Sequence, residues 1–303
     1  MTQPMVPSCI ASLNEHFTVH TLVGAADPEA LLAEVAPRIR GIAGGKVSAA
    51  MMAKLPALEI VANSGVGYDS IDTVAAKARG IRVTNTPNVL NDAVAEITIG
   101  LMIALARRIP QADRFVREGG WLKGQYPNLS ELTGKTVGIL GLGRIGKEIA
   151  TRAQAMKMRV VYHGRRRQPR EPYAYYDNLL EMARESDWLV VIAPGGKDTD
   201  NIISRDVMAA LGPKGSLVSM ARGSMVDEDA LIAMLGSGEL GAAALDVFRD
   251  EPNVPEALFA MDNVILSPHQ GSKTVETRDA MGALVVANLR AHFAGEPLLT
   301  AVV

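Results

Sequence analysis

The chain has 303 residues, of which 48% are hydrophobic and 21% charged, and its formal net charge is −2. This balance is typical of a folded globular protein long enough for two domains, and it excludes disordered and collagen-like chains. The scattered basic residues predict no nucleic-acid or membrane partner. The single Cys9 excludes an internal disulfide, and no His, Cys or carboxylate cluster has metal-ligand spacing, so no metal is expected. The first residues lack a basic segment followed by an apolar one, which predicts a cytoplasmic protein.

The first part of the chain alternates short β-forming runs with alanine-rich segments of helical periodicity. The series ends near Pro87, and its predicted strands are SCIAS, HFTVHTL, IRGIAGG, LEIVANSG and IRVTNTP. The alternation is typical of a parallel sheet covered by helices.

A long apolar helix, NDAVAEITIGLMIALARRI, follows this series. Its most apolar stretch, Ile97–Ala106, is shorter than the roughly 18 to 20 residues that a membrane span requires. We interpret it as an interdomain or dimer helix, because so much apolar surface is hard to bury at the edge of one domain. A homodimer is therefore expected.

A second series of six predicted strands occupies the rest of the chain, with a helical segment after nearly every one. The strands are KTVGIL, MRVVYHG, WLVVIA, GSLVSMA, AAALDV and NVILSP. Six strands in this order predict a doubly wound parallel sheet that binds a dinucleotide. The final helix, ETRDAMGALVVANLRAHFAG, is expected to return to the first domain.

The segment GLGRIG directly follows the first strand of the second series. Gly141 suits the tight turn, Gly143 allows a pyrophosphate to approach the backbone, and Gly146 allows close packing of helix on strand. The amino end of the helix then faces the phosphates. The sequence thus predicts cofactor contacts from the whole turn: Gly141, Leu142, Gly143, Arg144, Ile145 and Gly146.

The next strand ends at Gly164 and is followed by Arg165, Arg166 and Arg167. A site that prefers NAD usually places an acidic residue here, against the ribose hydroxyls. This chain has none, and guanidinium groups are well suited to hold a 2′-phosphate. The pattern predicts NADP(H) as the cofactor, with Gly164, Arg165 and Arg166 in contact with it. A solvated arginine run on an exposed loop is the alternative.

Motifs along nearly the whole chain resemble the D-isomer-specific 2-hydroxyacid dehydrogenase family, in its glyoxylate/hydroxypyruvate reductase and hydroxyphenylpyruvate reductase branch. They include LPALEIVANSGVGYDSID, GLGRIG, ARGSMVDEDAL, ALDVFRDEPNVPEALF and SPHQGSKTVETR. The resemblance implies an α/β fold of two Rossmann-like or flavodoxin-like domains with parallel sheets and the active site in the cleft between them. It assigns residues 1–92 and 276–303 to a discontinuous substrate-binding domain and 93–275 to the NADP-binding Rossmann domain.

The resemblance also assigns the catalytic residues, as Arg222 in ARGS, Glu251 in RDEP and His269 in SPHQGS. Arg222 would hold the substrate carboxylate, His269 would donate a proton to the carbonyl oxygen, and Glu251 would accept from the other ring nitrogen. Each residue follows a predicted strand, at the end where open α/β sheets bind ligands. The alternative for each is an ordinary surface or loop residue.

Further positions are carried over from the same family. Val66 and Gly67 would meet the substrate carboxylate through their amides, and Asp246 would bind the nicotinamide carboxamide. The cofactor is also expected to contact Ala193, Pro194, Met220, Ala221 and Gly271. Trp121 lies in the family's dimer arm, EGGWLKGQYPN, where it packs against a partner or is an ordinary core tryptophan.

The sequence departs from the family at Gln270, after the histidine, and at Gly195 and Gly196, where Leu and Thr are common. These departures bear on the substrate side chain. The expected reaction is NADPH-dependent reduction of glyoxylate, hydroxypyruvate or a related small 2-oxo acid to the D-2-hydroxy acid. Aromatic 2-oxo acids such as hydroxyphenylpyruvate are the first alternative, and Met51 and Met52 either line the outer pocket or belong to the core. A dinucleotide-sensing regulator and a dehydrogenase of a one-carbon or phosphorus acid are further alternatives.

Overall fold

The computed structural model describes all 303 residues. Its strands are β1 Gly41–Ala43, β2 Ile60–Ala62, β3 Arg82–Thr84, β4 Thr136–Leu140, β5 Arg159–His163, β6 Ala174–Tyr176, β7 Trp188–Val191, β8 Ser216–Ser219, β9 Ala242–Leu245 and β10 Val264–Leu266. Its α-helices are α1 Pro7–His16, α2 Pro28–Val35, α3 Ala49–Ala53, α4 Thr73–Ala78, α5 Asn91–Ala106, α6 Ile109–Arg117, α7 Arg144–Ala155, α8 Leu179–Arg184, α9 Arg205–Leu211, α10 Glu228–Ser237 and α11 Val275–Ala294.

The chain divides into two compact units. One consists of Met1–Leu90 and Ser272–Val303, and the other of Asn91–Gly271. Both contain parallel sheets with helices between the strands, which confirms the predicted α/β class.

The first unit has a three-stranded parallel sheet in the order β1-β2-β3. Side chains alternate along β2, so that Val61 belongs to one hydrophobic cluster while Ile60 and Ala62 belong to another. Helix α11 packs on β1, β2 and α1 and contributes Val285 and Leu289 to the second cluster. Met52 is fully buried and belongs to the core, whereas Met51 is half-buried and packs against the first cluster.

Two of the five strands predicted for this unit are wrong. SCIAS lies inside α1, where Pro7 begins the helix and Cys9 and Leu13, one turn apart, are buried. HFTVHTL ends α1 and continues without strand pairing. Its backbone bonds to the first residue instead, since the Met1 amine donates to His20 O at 2.6 Å. A β-forming run becomes a strand only where a neighbouring strand completes its ladder.

The second unit has a seven-stranded parallel sheet in the order β10-β9-β8-β7-β4-β5-β6. The order reverses between β4 and β7, which is the switch point where doubly wound sheets bind dinucleotides. All six predicted strands are present. Sequence reasoning missed β6, a three-residue edge strand that is only partly buried and therefore lacks an apolar signature.

Helix α5 covers this sheet, packing on α7 and on β8, β9 and β10. Its buried residues are Ala93, Val94, Ala95, Thr98, Leu101, Met102 and Leu105. Much of its apolar surface is thus buried within its own unit, contrary to the argument that it needs an outside partner. The predicted single helix is also broken, because Arg108 adopts a left-handed conformation with φ 45° between α5 and α6. No helix combines the length and apolarity needed to cross a bilayer.

Candidate active site

The predicted site residues of the second unit lie on loops that follow the carboxyl ends of its strands. We call residues 141–146 the glycine turn, 164–168 the arginine turn and 267–271 the histidine turn; they follow β4, β5 and β10. Because every strand of this sheet is parallel, these loops meet at one edge.

The glycine turn is shaped by close backbone contacts. Gly141 has φ 102°, and a Cβ there would lie 2.7 Å from the Ala193 Cα. A Cβ on Gly146 would collide with the Gly141 carbonyl oxygen. Both positions therefore require glycine, as the sequence predicts.

Gly143 differs, since no atom lies within 4 Å of the place that its Cβ would take. Gly143 precedes α7, and no side chain caps that helix. The first-turn amides of α7 are thus left for a ligand, next to open space that a side chain would fill. This arrangement fits a bound pyrophosphate.

The arginine turn carries three exposed guanidinium groups, on Arg165, Arg166 and Arg167. None pairs with an acidic side chain of the protein. The last residue of β5, His163, bonds through Nδ1 to Tyr176 O at 2.9 Å. No carboxylate stands at the end of this strand to repel a phosphate.

Two further predicted cofactor segments follow β7 and β8. Ala193 is half-buried and Pro194 is exposed, and Thr199 Oγ1 donates to Pro194 O at 3.0 Å. Met220 and Ala221 are buried, and Met220 N donates to Val191 O at 3.1 Å. They extend the same edge toward Arg222.

Glu251 and His269 form a direct pair, although 18 positions separate them in the sequence. Glu251 Oε2 lies 2.7 Å from His269 Nδ1, and Phe248 N donates to Glu251 Oε1 at 3.1 Å. The His269 side chain is 49% exposed, so its ring remains open to another molecule. With Nδ1 held by the carboxylate, Nε2 is the nitrogen available for proton transfer.

The environment of Glu251 favours the carboxylate. Burial alone would raise its pKa, but the hydrogen bonds from His269 and from Phe248 N, with the charges of His269 and Arg222, outweigh burial. The pKa of Glu251 therefore lies below its ordinary value.

Arg222 is half-buried, and its Nη1 donates to the Ala221 carbonyl at 2.7 Å. Its aliphatic stem lies against Gly195, where a Cβ would be 2.7 Å from Arg222 Cγ. Gly195, which departs from the family pattern, has no side chain, and the aliphatic part of Arg222 occupies the space that a side chain would fill. The charge of Arg222 acts on Glu251, so the structure brings the three predicted catalytic residues together.

Asp246 organises the histidine turn. The residue is 1% exposed, and its Oδ1 accepts from Ser267 Oγ and, at 2.9 Å, from Gln270 N. Its Oδ2 accepts from Gly271 N at 2.9 Å. The Asp246 backbone oxygen also accepts from His269 N at 2.9 Å, and His269 has φ 47°. These contacts hold a non-glycine residue in a left-handed conformation that it adopts rarely.

Val66 and Gly67 follow β2 in the other unit. Asn63 Nδ2 donates to Gly67 O at 2.9 Å, and Asn85 Nδ2 donates to Val66 O at 2.9 Å. The Val66 and Gly67 amides donate to no group of the protein. They are available to an anion, and their contact with substrate stays a prediction.

Sequence reasoning missed several residues that shape this edge. A Cβ on Gly223 would overlap the backbone of Phe248 and Arg249, so the loop that carries Glu251 packs directly on the residue after Arg222. Ser267 and the Phe248 amide were likewise unforeseen. Such contacts depend on main-chain positions, and the only signal was the glycine in ARGS.

Comparisons with known proteins agree with this geometry. Residues 99–271, more than half of the chain, match the family described as D-isomer specific 2-hydroxyacid dehydrogenase, NAD binding domain. The chain is 48% identical over 274 residues to hydroxyphenylpyruvate reductase from Plectranthus scutellarioides, with 90% of this chain and 88% of that protein covered. It is 51% identical over 263 residues to glyoxylate/hydroxypyruvate reductase A from Arabidopsis thaliana, with 87% and 84% covered.

A solved structure is similar over nearly the whole chain. It is an NADPH-dependent glyoxylate/hydroxypyruvate reductase from Sinorhizobium meliloti in complex with NADP and malonate, with a TM-score of 0.92 and 43% identity. The similarity covers 99% of this chain and 95% of that one. The protein therefore belongs to the D-isomer-specific 2-hydroxyacid dehydrogenase family and is an oxidoreductase that binds a nicotinamide dinucleotide.

Proposed function

We propose that the protein is an NADPH-dependent reductase that converts small 2-oxo acids, such as glyoxylate and hydroxypyruvate, into D-2-hydroxy acids. The observation that carries the proposal is the Glu251–His269 pair, with Arg222 beside it, at the sheet edge that also bears the glycine turn. Relatives of the glyoxylate/hydroxypyruvate reductase type support the substrate class.

The proposed roles follow from the chemistry of a 2-oxo acid. When bound, the dinucleotide supplies hydride to the carbonyl carbon. The Arg222 guanidinium holds the substrate carboxylate through two hydrogen bonds. His269 donates its Nε2 proton to the carbonyl oxygen as negative charge grows there, while Glu251 keeps Nδ1 protonated and the ring oriented. The Val66 and Gly67 amides are proposed to bind the same substrate carboxylate.

The preference for NADPH is also a proposal. Its support is the exposed Arg165–Arg167 run at the end of β5 and the absence of a carboxylate there. The solved relative with bound NADP adds to this support. Asp246, Gly271 and the residues after β7 and β8 are proposed to line the nicotinamide end.

The first test is the loss of absorbance of NADPH, and separately of NADH, with glyoxylate, hydroxypyruvate, pyruvate, phenylpyruvate and 4-hydroxyphenylpyruvate. We expect fast turnover of the small acids with NADPH. A preference for the aromatic acids would select the second candidate, which the similarity to hydroxyphenylpyruvate reductase favours. Absence of turnover despite NADPH binding would contradict the enzymatic proposal.

The role of His269 is tested by His269→Ala. We expect turnover to fall about 10³-fold with NADPH binding intact, because a positioned general acid contributes roughly 10²- to 10⁴-fold. His16→Ala, an exposed histidine of the other unit, is the matched control. Near-normal turnover of His269→Ala would remove the assignment.

We also propose a homodimer. Its support is the apolar surface on α6 and the following residues, where Val116 is 53%, Trp121 70% and Leu122 94% exposed. The exposure of Trp121 rules out the alternative that it is a core tryptophan. Light scattering should give the dimer mass for the parent protein and the monomer mass for Leu122→Glu; a monomeric parent would contradict the proposal.

A further inference from the structure

Hydrogen bonds hold the backbone of the arginine turn on both sides of its three arginines. On the near side, Tyr175 Oη donates to Gly164 O at 3.1 Å. On the far side, Gln168 N donates to Tyr162 Oη at 2.7 Å, and Tyr162 is 1% exposed. The turn is thus anchored to buried and sheet-bound tyrosines while its arginines stay in solvent.

The Gln168 side chain adds a second kind of anchor. Its Nε2 donates to Leu142 O at 2.6 Å, and Leu142 is a buried residue of the glycine turn. One side chain therefore joins the arginine turn to the glycine turn. Nearby, Lys147 of α7 and Glu171 form an ion pair at 2.7 Å, which ties the chain beyond the turn to the same helix.

We propose that Gln168 is a positioning residue for NADP(H), fixing the arginines at the place of the 2′-phosphate without touching the cofactor. This inference rests on the proposed NADPH preference. Exposed arginines lose side-chain and loop freedom when they bind a phosphate, and a turn held in place beforehand reduces that entropic cost. NADH lacks the phosphate, so it gains little from the same preorganisation.

The chemistry of the amide suits this position. A neutral N–H donor satisfies the Leu142 carbonyl and brings no charge near the phosphates. A glutamate would face that carbonyl with oxygen atoms and would compete with the 2′-phosphate for the arginines. Gln168→Glu is therefore expected to weaken NADPH binding more than Gln168→Ala does.

The experiment measures the dissociation constants of NADPH and NADH by nucleotide fluorescence for the parent protein, Gln168→Ala and Tyr162→Phe. We expect Gln168→Ala to raise the dissociation constant of NADPH about tenfold and that of NADH at most about twofold. Tyr162→Phe keeps the buried ring and removes only the acceptor of Gln168 N, so it should shift NADPH binding in the same direction. Gln154→Ala, an exposed glutamine on α7, is the control and should change neither constant.

Steady-state kinetics separate positioning from a general structural role. The KM for NADPH should rise in Gln168→Ala, while kcat at saturating NADPH changes less than about twofold, because the reacting atoms are not involved. Binding of adenosine 2′,5′-bisphosphate should weaken along with NADPH, and binding of 5′-AMP should not.

The outcomes distinguish the role of Gln168 from the NADPH preference on which it rests. If the parent protein binds NADPH and NADH equally well, the NADPH preference fails and the inference fails with it. If the parent prefers NADPH and both variants keep the full preference, only the role of Gln168 is overturned. An equal loss of NADPH and NADH binding also overturns it, since a collapsed site would show that result.

Discussion

The histidine turn and the arginine turn lie at the same sheet edge but are held by different chemistry. The histidine turn is fixed by carboxylates: Asp246 accepts from Gln270 N and Gly271 N, and Glu251 binds the His269 ring. The arginine turn is fixed by neutral groups, the tyrosine hydroxyls and the Gln168 amide. Neither the arginine turn nor the glycine turn contains an acidic residue.

The difference matches what each region is proposed to bind. Acidic groups hold the turn that carries His269, the proposed proton donor. They are absent where phosphates are expected, because a carboxylate there would repel the ligand. We therefore expect substitutions in the histidine turn to act through charge and to have pH-dependent effects. Substitutions in the arginine turn should act through the position of its backbone.

Among the substitutions that test this comparison, we expect the largest effect from Asp246→Asn, which keeps the shape of the side chain and removes its charge. In the parent protein, Gln270 N and Gly271 N each donate to an oxygen of the Asp246 carboxylate. An asparagine has only one side-chain oxygen, so at least one buried donor would face an N–H group and lose its acceptor. We expect a loss of about 2 to 3 kcal/mol in the free energy of unfolding. Turnover should fall on the order of 100-fold as His269 leaves its position.

Urea unfolding and NADPH oxidation measure these two effects. Asp262→Asn is the matched control, because Asp262 is exposed and lies in the same unit. Turnover of Asp246→Asn within about twofold of the parent would show that the turn does not depend on this charge.

The second prediction concerns pH. Because the pKa of Glu251 is lowered in the folded protein, the unfolded chain takes up this proton first as the pH falls. The stabilisation by the carboxylate is complete above the ordinary glutamate pKa and disappears as the pH falls through the lowered one. We expect Glu251→Gln to lower the free energy of unfolding by on the order of 1 kcal/mol near neutrality. The effect is small because solvent screens the partly exposed Glu251–His269 pair.

Unfolding curves of the parent and Glu251→Gln between about pH 7 and pH 3.5 test this dependence. The difference in unfolding free energy between the two proteins should be constant near neutrality and should decrease toward acid pH. A difference that does not vary with pH would place the effect of Glu251 in packing rather than in charge.

The sequence carried more information about the second unit than about the first. Six of its seven strands are apolar runs followed by motif residues, and all six were predicted. In the first unit, the HFTVHTL run looks like a strand but has no partner in the sheet, and SCIAS is absorbed into α1. Whether such a run becomes a strand depends on its neighbours, which lie far away in the sequence.

The same limit applies to the site. Motifs located Arg222, Glu251 and His269, but the residues that hold the turns carry no motif. Gln168 reaches Leu142, 26 positions away, and Asp246 reaches Gly271, 25 positions away. These contacts follow from the parallel sheet, which brings together loops that the sequence separates by a strand and a helix.

The smallest expected effect, that of Tyr175→Phe, tests which end of the arginine turn matters more. The substitution removes only the hydroxyl that donates to Gly164 O, since the ring stays packed 5.3 Å from that of Tyr162. Gly164 is half-buried, so water can replace the lost donor. We expect about a twofold rise in the NADPH dissociation constant and no change for NADH, because one neutral hydrogen bond contributes little net stability. If Tyr175→Phe weakened NADPH binding as much as Gln168→Ala, the position of the arginines would be set from the Gly164 end of the turn, and the contact with the glycine turn would be secondary.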